Sequence, residues 1–441
     1  MRKLSFEVHE RINLSQMDKI VINGGKPLSG EIVVSGMKNA AVAILLANIM
    51  IEDECIIENL PDISDINRSL EILEAMGAKV TRLSRGCVKI DSRNIIPCSA
   101  PDELVKKMRA SYYILGAELA RFGRSNVACP GGCDFGVRPI DQHIKGFEAL
   151  GASVSVSDHH IVALTNNGLV GDSVFMDVVS VGATINIMIA AVKAKGVTVI
   201  ENAAREPHIV DTANFLNACG AKISGAGTDV IKITGVPALH GVTYGIIPDM
   251  IEAGTFMVLA AATRGKLKIS NVIPKHLESI SAKLVEMGAD IVEEDEAVIV
   301  SRTRELSPIN VKTHPYPGFP TDMNPQMCVL MCLANGKSRM VEGVWDNRFR
   351  YVEELKRMGA NITVSDNTMA NVEGNSLGLT GAHVRAIDLR AGAAMVVAGL
   401  AAKGYTEIDD IYHIQRGYED IVGKLQAVGA DIKLVTLPDQ R

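Results

Sequence analysis

The sequence predicts an α/β protein of two domains, each an inside-out α/β barrel with helices in its centre and sheets outside. Two observations lead to this prediction. A short glycine-containing phrase recurs along the chain, and a helix that is apolar on nearly all sides lies between successive copies. Because a helix that is apolar all round is buried, three such helices per domain would form the core and leave the sheets outside.

The recurring phrase is an amphipathic stretch followed by glycine, a small residue and an apolar residue. Six copies at intervals of about seventy residues indicate an internal repeat. Each copy predicts a helix that ends before a left-handed glycine and is followed by a strand. The six glycines are Gly77, Gly151, Gly220, Gly288, Gly359 and Gly429.

The buried helices and several strands are predicted between these phrases. The helices are predicted over residues 39–50, 109–123, 180–196, 251–265, 321–336 and 388–404. The stretches KIVING, VTVIENA, LKISNV and TEIDDI are predicted to be strands. With three repeats per domain, residues 1–36 form a tail and a strand that joins the second domain, 37–247 the first domain and 248–441 the second.

Composition limits the classes of function. The 441 residues are 47% hydrophobic and 22% charged, which predicts a globular protein of two to three domains. No apolar run reaches the roughly 18 residues of a membrane span, and the polar start MRKLSFEVHERINLSQ is unlike a signal peptide, so we expect a cytoplasmic protein. The net charge of −6 argues against nucleic-acid binding, so local basic residues must hold any anionic ligand.

The eight cysteines show no disulfide framework. Cys129 and Cys133, like Cys328 and Cys332, have a CxxxC spacing without the CxxC and histidine pattern of a zinc site, so no metal is predicted.

The segment from Cys129 to His143 has no helical or strand periodicity and is predicted to be a loop. Gly131 and Gly132 allow backbone conformations closed to other residues, so Cys133 can lie at a loop tip. Arg138 follows five residues later, and nearby positive charge favours the thiolate form of a cysteine. The segment is therefore a candidate reactive centre; the alternative is a surface loop with an incidental cysteine.

Polar residues open the six apolar helices, where free N–H groups and the helix dipole favour anions. These residues are Lys38 with Asn39, Arg109, Ser180 with Gly182, Asp249, Asp322, and Asp388 with Arg390. Capping explains Asp249. It does not explain Lys38, Arg109 or Arg390, because the dipole disfavours a cation at this end. A bound anion would remove that conflict.

Eight motifs, in order over nearly the whole chain, carry a family resemblance. They are SGMKNA, PGGCDFGVRPIDQH, SVGAT, NAAREPHIVDTANFL, FPTDM, DNRF, DLRAGAA and IYHIQRGYE. The sequence resembles the UDP-N-acetylglucosamine enolpyruvyl transferase (MurA) family, related to EPSP synthase. The resemblance implies the two-domain, six-repeat fold with substrate between the domains. It also implies transfer of the enolpyruvyl group of phosphoenolpyruvate to the 3′-hydroxyl of UDP-N-acetylglucosamine, the first committed step of peptidoglycan synthesis, and sensitivity to fosfomycin.

The resemblance also implies roles for individual residues. Cys133 matches the loop cysteine that protonates the enol methylene, Asp322 the carboxylate near the acceptor hydroxyl, and Lys38, Arg138 and Arg416 the residues that hold phosphoenolpyruvate. The catalytic positions implied are Cys133, Asp322, Lys38 and Arg416. The substrate-binding positions implied are Lys38, Asn39, Arg109, Arg138, Pro139, Ile140, Asp141, Gln142, Val178, Val179, Ser180, Val181, Gly182, Asp322, Val344, Arg390 and Arg416. Acid, base and cations are thus supplied without a metal or organic cofactor.

Two other functions remain open at this point. Enolpyruvyl transfer to shikimate 3-phosphate belongs to a family with the same fold, but that family lacks the loop cysteine, so the GGC loop and SVGAT argue against it. A non-catalytic repeat protein that binds nucleic acid or a partner is the other, and the negative charge and single tryptophan, Trp345, argue against it.

Overall fold

A computed structural model of the chain describes residues 18–129, 140–157, 159–374 and 377–436. The helices of this part are α1 (Lys38–Ala47), α2 (Ser64–Ala75), α3 (Asp102–Val105), α4 (Tyr113–Phe122), α5 (Asp141–Ala149), α6 (Val181–Ala191), α7 (Pro207–Ala218), α8 (Met250–Ala262), α9 (Glu278–Met287), α10 (Asn324–Cys332), α11 (Val352–Arg357), α12 (Leu389–Ala401) and α13 (Ile421–Ala427).

The strands complete an α/β fold. They are β1 (Asp18–Asn23), β2 (Ser29–Val33), β3 (Glu54–Glu58), β4 (Lys79–Ser84), β5 (Cys87–Asp91), β6 (Arg124–Ala128), β7 (Ser153–Val156), β8 (His160–Leu164), β9 (Ser173–Phe175), β10 (Val197–Glu201), β11 (Lys222–Ser224), β12 (Val230–Thr234), β13 (Thr243–Gly245), β14 (Lys266–Ser270), β15 (Asp290–Glu293), β16 (Ala297–Ser301), β17 (Asn310–Lys312), β18 (Gly336–Val341), β19 (Asn361–Ser365), β20 (Met369–Gly374), β21 (His383–Arg385), β22 (Tyr405–Asp409) and β23 (Asp431–Thr436).

The glycine phrases end helices as predicted. The φ angles of the six glycines lie between 85° and 107°, the left-handed region that glycine adopts without strain. A strand begins two residues after each of them, namely β4, β7, β11, β15, β19 and β23. The four strands predicted from β-branched stretches are also confirmed, as β1, β10, β14 and β22.

Two of these glycines offer a matched test of the helix ends. A Cβ added at Gly429 would have no atom within 4 Å, whereas one at Gly77 would lie 2.5 Å from the carbonyl oxygen of Asn94. Both alanine variants lose about 1 kcal/mol of stability to left-handed strain, and Gly77→Ala loses more because of the close approach. We expect a larger drop in the thermal midpoint for Gly77→Ala than for Gly429→Ala; equal drops would contradict this account of the close approach.

The repeat is also visible in strand pairing. Within the described residues there are six sheets, five of four strands and one of three. In each four-stranded sheet a parallel pair at one edge is followed by two antiparallel pairs, as in the order β13-β3-β5-β4. The three-stranded sheet, β6-β8-β7, has only the antiparallel pairs.

The six apolar helices are buried as predicted. Every residue of α8 and of α10 is buried. These two helices and α12 contact one another, while α4 contacts both α1 and α6. Two of the predicted helix starts are 3-10 turns, Arg109–Tyr112 before α4 and Thr321–Met323 before α10, so Arg109 and Asp322 lie ahead of their α-helices rather than inside them.

Strands from the start of the described chain pair with strands from much later in the sequence. β1 pairs with β22 and β23, and β2 pairs with β14, so the first two described strands lie in sheets with strands that follow residue 248. The segment that follows β2 is hydrogen-bonded to the segment that precedes α8. The Met37 nitrogen donates to the Ile247 oxygen at 2.7 Å, and the Asp249 nitrogen donates to the Ser35 oxygen at 2.9 Å. These two hydrogen bonds bring Lys38 and Asp249 to the same region. No helix among the described residues is long and apolar enough to cross a membrane.

Candidate functional site

Asp322 is at the centre of a cluster of charged residues. Its Oδ2 lies 3.0 Å from Nε and 2.9 Å from Nη2 of Arg390, and its Oδ1 lies 3.5 Å from Nη2 of Arg348. Burial raises the pKa of Asp322, but the two guanidinium groups outweigh it and lower the pKa to about 2. Asp322 is therefore ionised at neutral pH. Because this pKa lies below the usual 3.8, the ion pairs of Asp322 stabilise the fold fully above pH 3.8. This stabilisation is lost as the pH falls towards 2.

Arg390 is held from several sides. Its backbone N–H donates to the side chain of Asp388, the N-cap of α12, at 2.8 Å. Its guanidinium carbon lies 5.7 Å from the centre of the Tyr418 ring. The Tyr418 hydroxyl is in turn hydrogen-bonded to Thr255 at 2.9 Å. This packing fixes the guanidinium and so orients the carboxylate of Asp322.

A second cluster joins Lys38 to Arg416. The Nζ of Lys38, at the start of α1, lies 2.7 Å from Oδ2 of Asp65. The Nε of Arg416 donates to Oδ1 of the same carboxylate at 3.1 Å. Arg416 ends the 3-10 helix Ile411–Arg416, so one carboxylate in α2 connects residues from both ends of the chain. The charge of Lys38 also reaches Asp322, whose pKa it helps to lower.

Arg109 lies against Trp345, the residue that follows the predicted position Val344. The guanidinium carbon of Arg109 is 5.8 Å from the centre of the Trp345 ring, in a cation–π arrangement. The backbone N–H groups of Val344 and Trp345 both donate to Oε1 of Glu342, at 2.9 and 3.1 Å. This buried carboxylate fixes the loop, which presents the partly exposed Val344.

The structure also brings the start of α5 to the start of α6. Gln142 accepts a hydrogen bond from the Asp177 nitrogen at 2.9 Å. This bond places two groups of predicted positions next to each other. On one side these are Ile140, Asp141 and Gln142, and on the other Val178, Val179, Ser180, Val181 and Gly182. Val178 and Val179 are exposed, and Ser180 caps α6 by accepting from the Ala183 nitrogen at 3.4 Å.

Among the described residues, the predicted site positions fall into several local groups. Lys38 and Arg416 meet at Asp65, Arg390 meets Asp322, and Asn39 follows Lys38 in α1. The predicted positions Cys133, Arg138 and Pro139 lie outside the described residues.

The sequence predicted that a bound anion offsets the unfavourable position of cations at helix N-termini, but the structure offsets it with carboxylates of the protein. Lys38 and Arg390 are already paired with the carboxylates of Asp65 and Asp322, so the dipole alone does not require a bound anion. Asp249 does cap α8, as predicted, by accepting from the nitrogens of Ile251 and Glu252.

Two residues of these charged clusters, Asp65 and Arg348, were not among the predicted positions. Asp65 is in the first turn of an amphipathic helix, where helix-dipole preference already accounts for an acidic residue. Arg348 lies inside the quoted DNRF motif, which was the available signal, but no role was assigned to it. The position of Arg348, 4% exposed and close to Asp322, shows that it belongs to the cluster.

Comparisons with known proteins agree in one family. Residues 22–425 match the family described as EPSP synthase (3-phosphoshikimate 1-carboxyvinyltransferase). UDP-N-acetylglucosamine 1-carboxyvinyltransferase 2 of Clostridium acetobutylicum is 56% identical over 95% of this chain and 99% of its own. A protein named UDP-N-acetylglucosamine 1-carboxyvinyltransferase 3, from Caldanaerobacter subterraneus, is 55% identical over 94% and 99%. The crystal structure of the enolpyruvyl transferase NikO from Streptomyces tendae superposes with a TM-score of 0.85 at 27% identity, over 96% of this chain and all of that one.

Proposed function

Because this chain belongs to the EPSP synthase family, we propose that it transfers the enolpyruvyl group of phosphoenolpyruvate to the 3′-hydroxyl of UDP-N-acetylglucosamine and releases phosphate. The observation that carries the proposal is the nearly full-length match, above 50% identity, to enzymes named UDP-N-acetylglucosamine 1-carboxyvinyltransferase. The chain is accordingly a transferase. This reaction would be the first committed step of peptidoglycan synthesis. It would take place in the cytoplasm and use two small-molecule substrates.

Chemically, the transfer is an addition followed by an elimination. The acceptor oxygen bonds to C2 of phosphoenolpyruvate while C3 receives a proton. A proton then leaves C3 and the C2–O bond to phosphate breaks. Such a sequence needs an acid near C3, a carboxylate near the hydroxyl and cations around phosphate and carboxylate. We assign these roles to Cys133, to Asp322, and to Lys38 and Arg416 together with Arg138.

The electrostatics of Asp322 define its role further. With a pKa of about 2, it is ionised and ready to accept a hydrogen bond from the acceptor hydroxyl. A carboxylate so strongly paired is a weak base in the ground state, so we propose that it orients the hydroxyl and takes the proton only as the new C–O bond forms. Arg390 and Arg348 keep the carboxylate in position, which supports this role.

The remaining proposed positions fit a nucleotide-sugar site. Arg109 supplies a cation for the diphosphate. Asn39, Pro139 to Gln142, Val178 to Gly182 and Val344 would line the rest, and the exposure of Val178 and Val179 supports a role in contact with ligand.

We also propose the finer architecture, two inside-out barrels of three repeats each, with the domain limits 37–247 and 248–441. The buried helices and the repeated sheet order support it, as do the strands β1 and β2, which pair with strands that follow residue 248.

Measurement of phosphate release with each acceptor tests the function. Purified protein with phosphoenolpyruvate should release phosphate when UDP-N-acetylglucosamine is present and not when shikimate 3-phosphate replaces it. The reverse preference would assign the alternative reaction. If neither acceptor supported phosphate release, the proposal would be contradicted.

A further inference from the structure

Asp65 is nearly inaccessible, although it contacts three cations. Its side chain is 3% exposed, whereas those of Lys38 and Arg416 are 14% and 15% exposed. The carboxylate therefore lies deeper than these two cations, which are nearer to solvent. Asp65 also belongs to the first turn of α2, where its backbone oxygen accepts a hydrogen bond from the Ser69 hydroxyl at 2.8 Å, so its position is set by a regular helix.

The contact between Arg416 and Asp65 has the geometry of a two-point clamp. Nε lies 3.1 Å from Oδ1, and Nη2 lies 3.4 Å from Oδ2. Two parallel contacts fix the plane of a guanidinium as well as its distance. The same Oδ2 lies 2.7 Å from Nζ of Lys38. A single rigid carboxylate thus sets the separation of two cations that are 378 residues apart in the sequence, by the difference of their numbers.

We propose that Asp65 is a positioning residue that holds Lys38 and Arg416 as a preformed clamp for the anionic groups of phosphoenolpyruvate. This inference rests on the proposed function. Two cations at short range repel each other, and Asp65 offsets that repulsion, so they can converge before the substrate arrives. Phosphoenolpyruvate then binds on the more exposed side of the two cations, and Asp65 stays behind them.

The opposite role for Asp65 makes a different prediction. If it occupied the place of a substrate anion, phosphoenolpyruvate would have to displace it, and its removal would strengthen binding. The depth of the carboxylate and its attachment to α2 favour the positioning role. Burial raises the pKa of Asp65, yet the charges of Lys38 and Arg416 outweigh burial and hold the pKa below its usual value, so the counter-ion is permanently charged at neutral pH.

Asp65→Asn keeps the size of the side chain and removes its charge. We expect kcat/KM for phosphoenolpyruvate to fall by about 100-fold, the cost typical of a misplaced binding group, while KM for UDP-N-acetylglucosamine changes by less than about threefold. Asp65→Glu keeps the charge but shifts it by one methylene, so it should give a smaller loss of the same selectivity. Should Asp65→Asn not fold, Asp65→Glu carries the test alone.

Two controls separate positioning from general stability. Arg68 contacts Asp65 at 3.4 Å from the same helix but is 28% exposed and outside the proposed clamp, so Arg68→Ala should leave both KM values unchanged. In an Arg416→Ala background, Asp65→Asn should cost much less than in the wild type, because residues that act through one another are not additive.

A lowered KM for phosphoenolpyruvate in Asp65→Asn would overturn the proposal in favour of a displaced anion. Equal losses for both substrates, or full additivity with Arg416→Ala, would show that Asp65 only supports the fold. Wild-type protein is assayed first with both substrates. Inactive wild type contradicts the proposed function, whereas active wild type with an unaffected Asp65→Asn variant contradicts this inference alone.

Discussion

Asp322→Asn should lower kcat by about 10³-fold and change the affinity for phosphoenolpyruvate far less. Proton transfer by a positioned side chain contributes about 10² to 10⁴ in rate, and this interaction strengthens chiefly in the transition state. Asparagine keeps the shape of the side chain, but it cannot take the proton. Single-turnover kinetics with saturating substrates would measure the loss in the chemical step.

A buried carboxylate elsewhere in the fold, Glu252, is the control for this variant. Glu252 is paired with Lys424 at 2.6 Å and accepts from the Ser35 nitrogen, but we assign it no contact with substrate. Glu252→Gln should lower stability and leave kcat within about threefold, because only a structural pair is lost. If Asp322→Asn weakened the binding of both substrates and preserved kcat, Asp322 would be a binding residue and not the acceptor of the proton.

Cys133→Ser should remove most turnover and leave the fold intact. A hydroxyl is a much weaker acid than a thiol, so protonation of C3 would become slow. Cys133→Asp should retain part of the activity, because a carboxylic acid can also deliver the proton. Steady-state rates of the two variants, with circular dichroism to verify folding, test the role; wild-type rates in Cys133→Ser would end the proposal.

Cys98 provides the matched control for the thiol. Cys98 is accessible to solvent, but partial loss of hydration raises the pKa of its thiol. The thiol therefore stays protonated at neutral pH. Cys98→Ser should retain full activity, and fosfomycin should label Cys133 and not Cys98. Mass spectrometry of labelled protein would identify the modified residue, and labelling at Cys98 instead would show that reactivity does not mark the catalytic position.

Helix ends and buried helices were predictable because their causes are local. A left-handed glycine ends a helix through its own backbone freedom, and all six predicted glycines do so. The apolar surfaces of α8 and α10 likewise indicate burial within a single segment. The 3-10 turns at Arg109 and Asp322 were not predicted, because turn type at a helix start depends on how the following helix packs.

The site was only partly predictable because its pairs are distant in sequence. Asp65 meets Arg416 across 351 positions, and nothing near Asp65 indicates that partner. The pairing of Arg390 with Asp322, separated by 68 positions, also depends on contact between α12 and α10. The family resemblance supplied Lys38, Asp322 and Arg416 as candidates. It did not supply the carboxylate that joins two of them.

A crystal structure of the complex with UDP-N-acetylglucosamine tests the central claim most directly. The account predicts that the 3′-hydroxyl of the sugar lies within hydrogen-bond distance of the Asp322 carboxylate, about 2.6 to 3.2 Å. It also predicts that Lys38 and Arg416 remain on Asp65 beside that hydroxyl, with room for phosphoenolpyruvate on their exposed side. A sugar bound away from Asp322, or an acceptor hydroxyl turned away from the two cations, would contradict it.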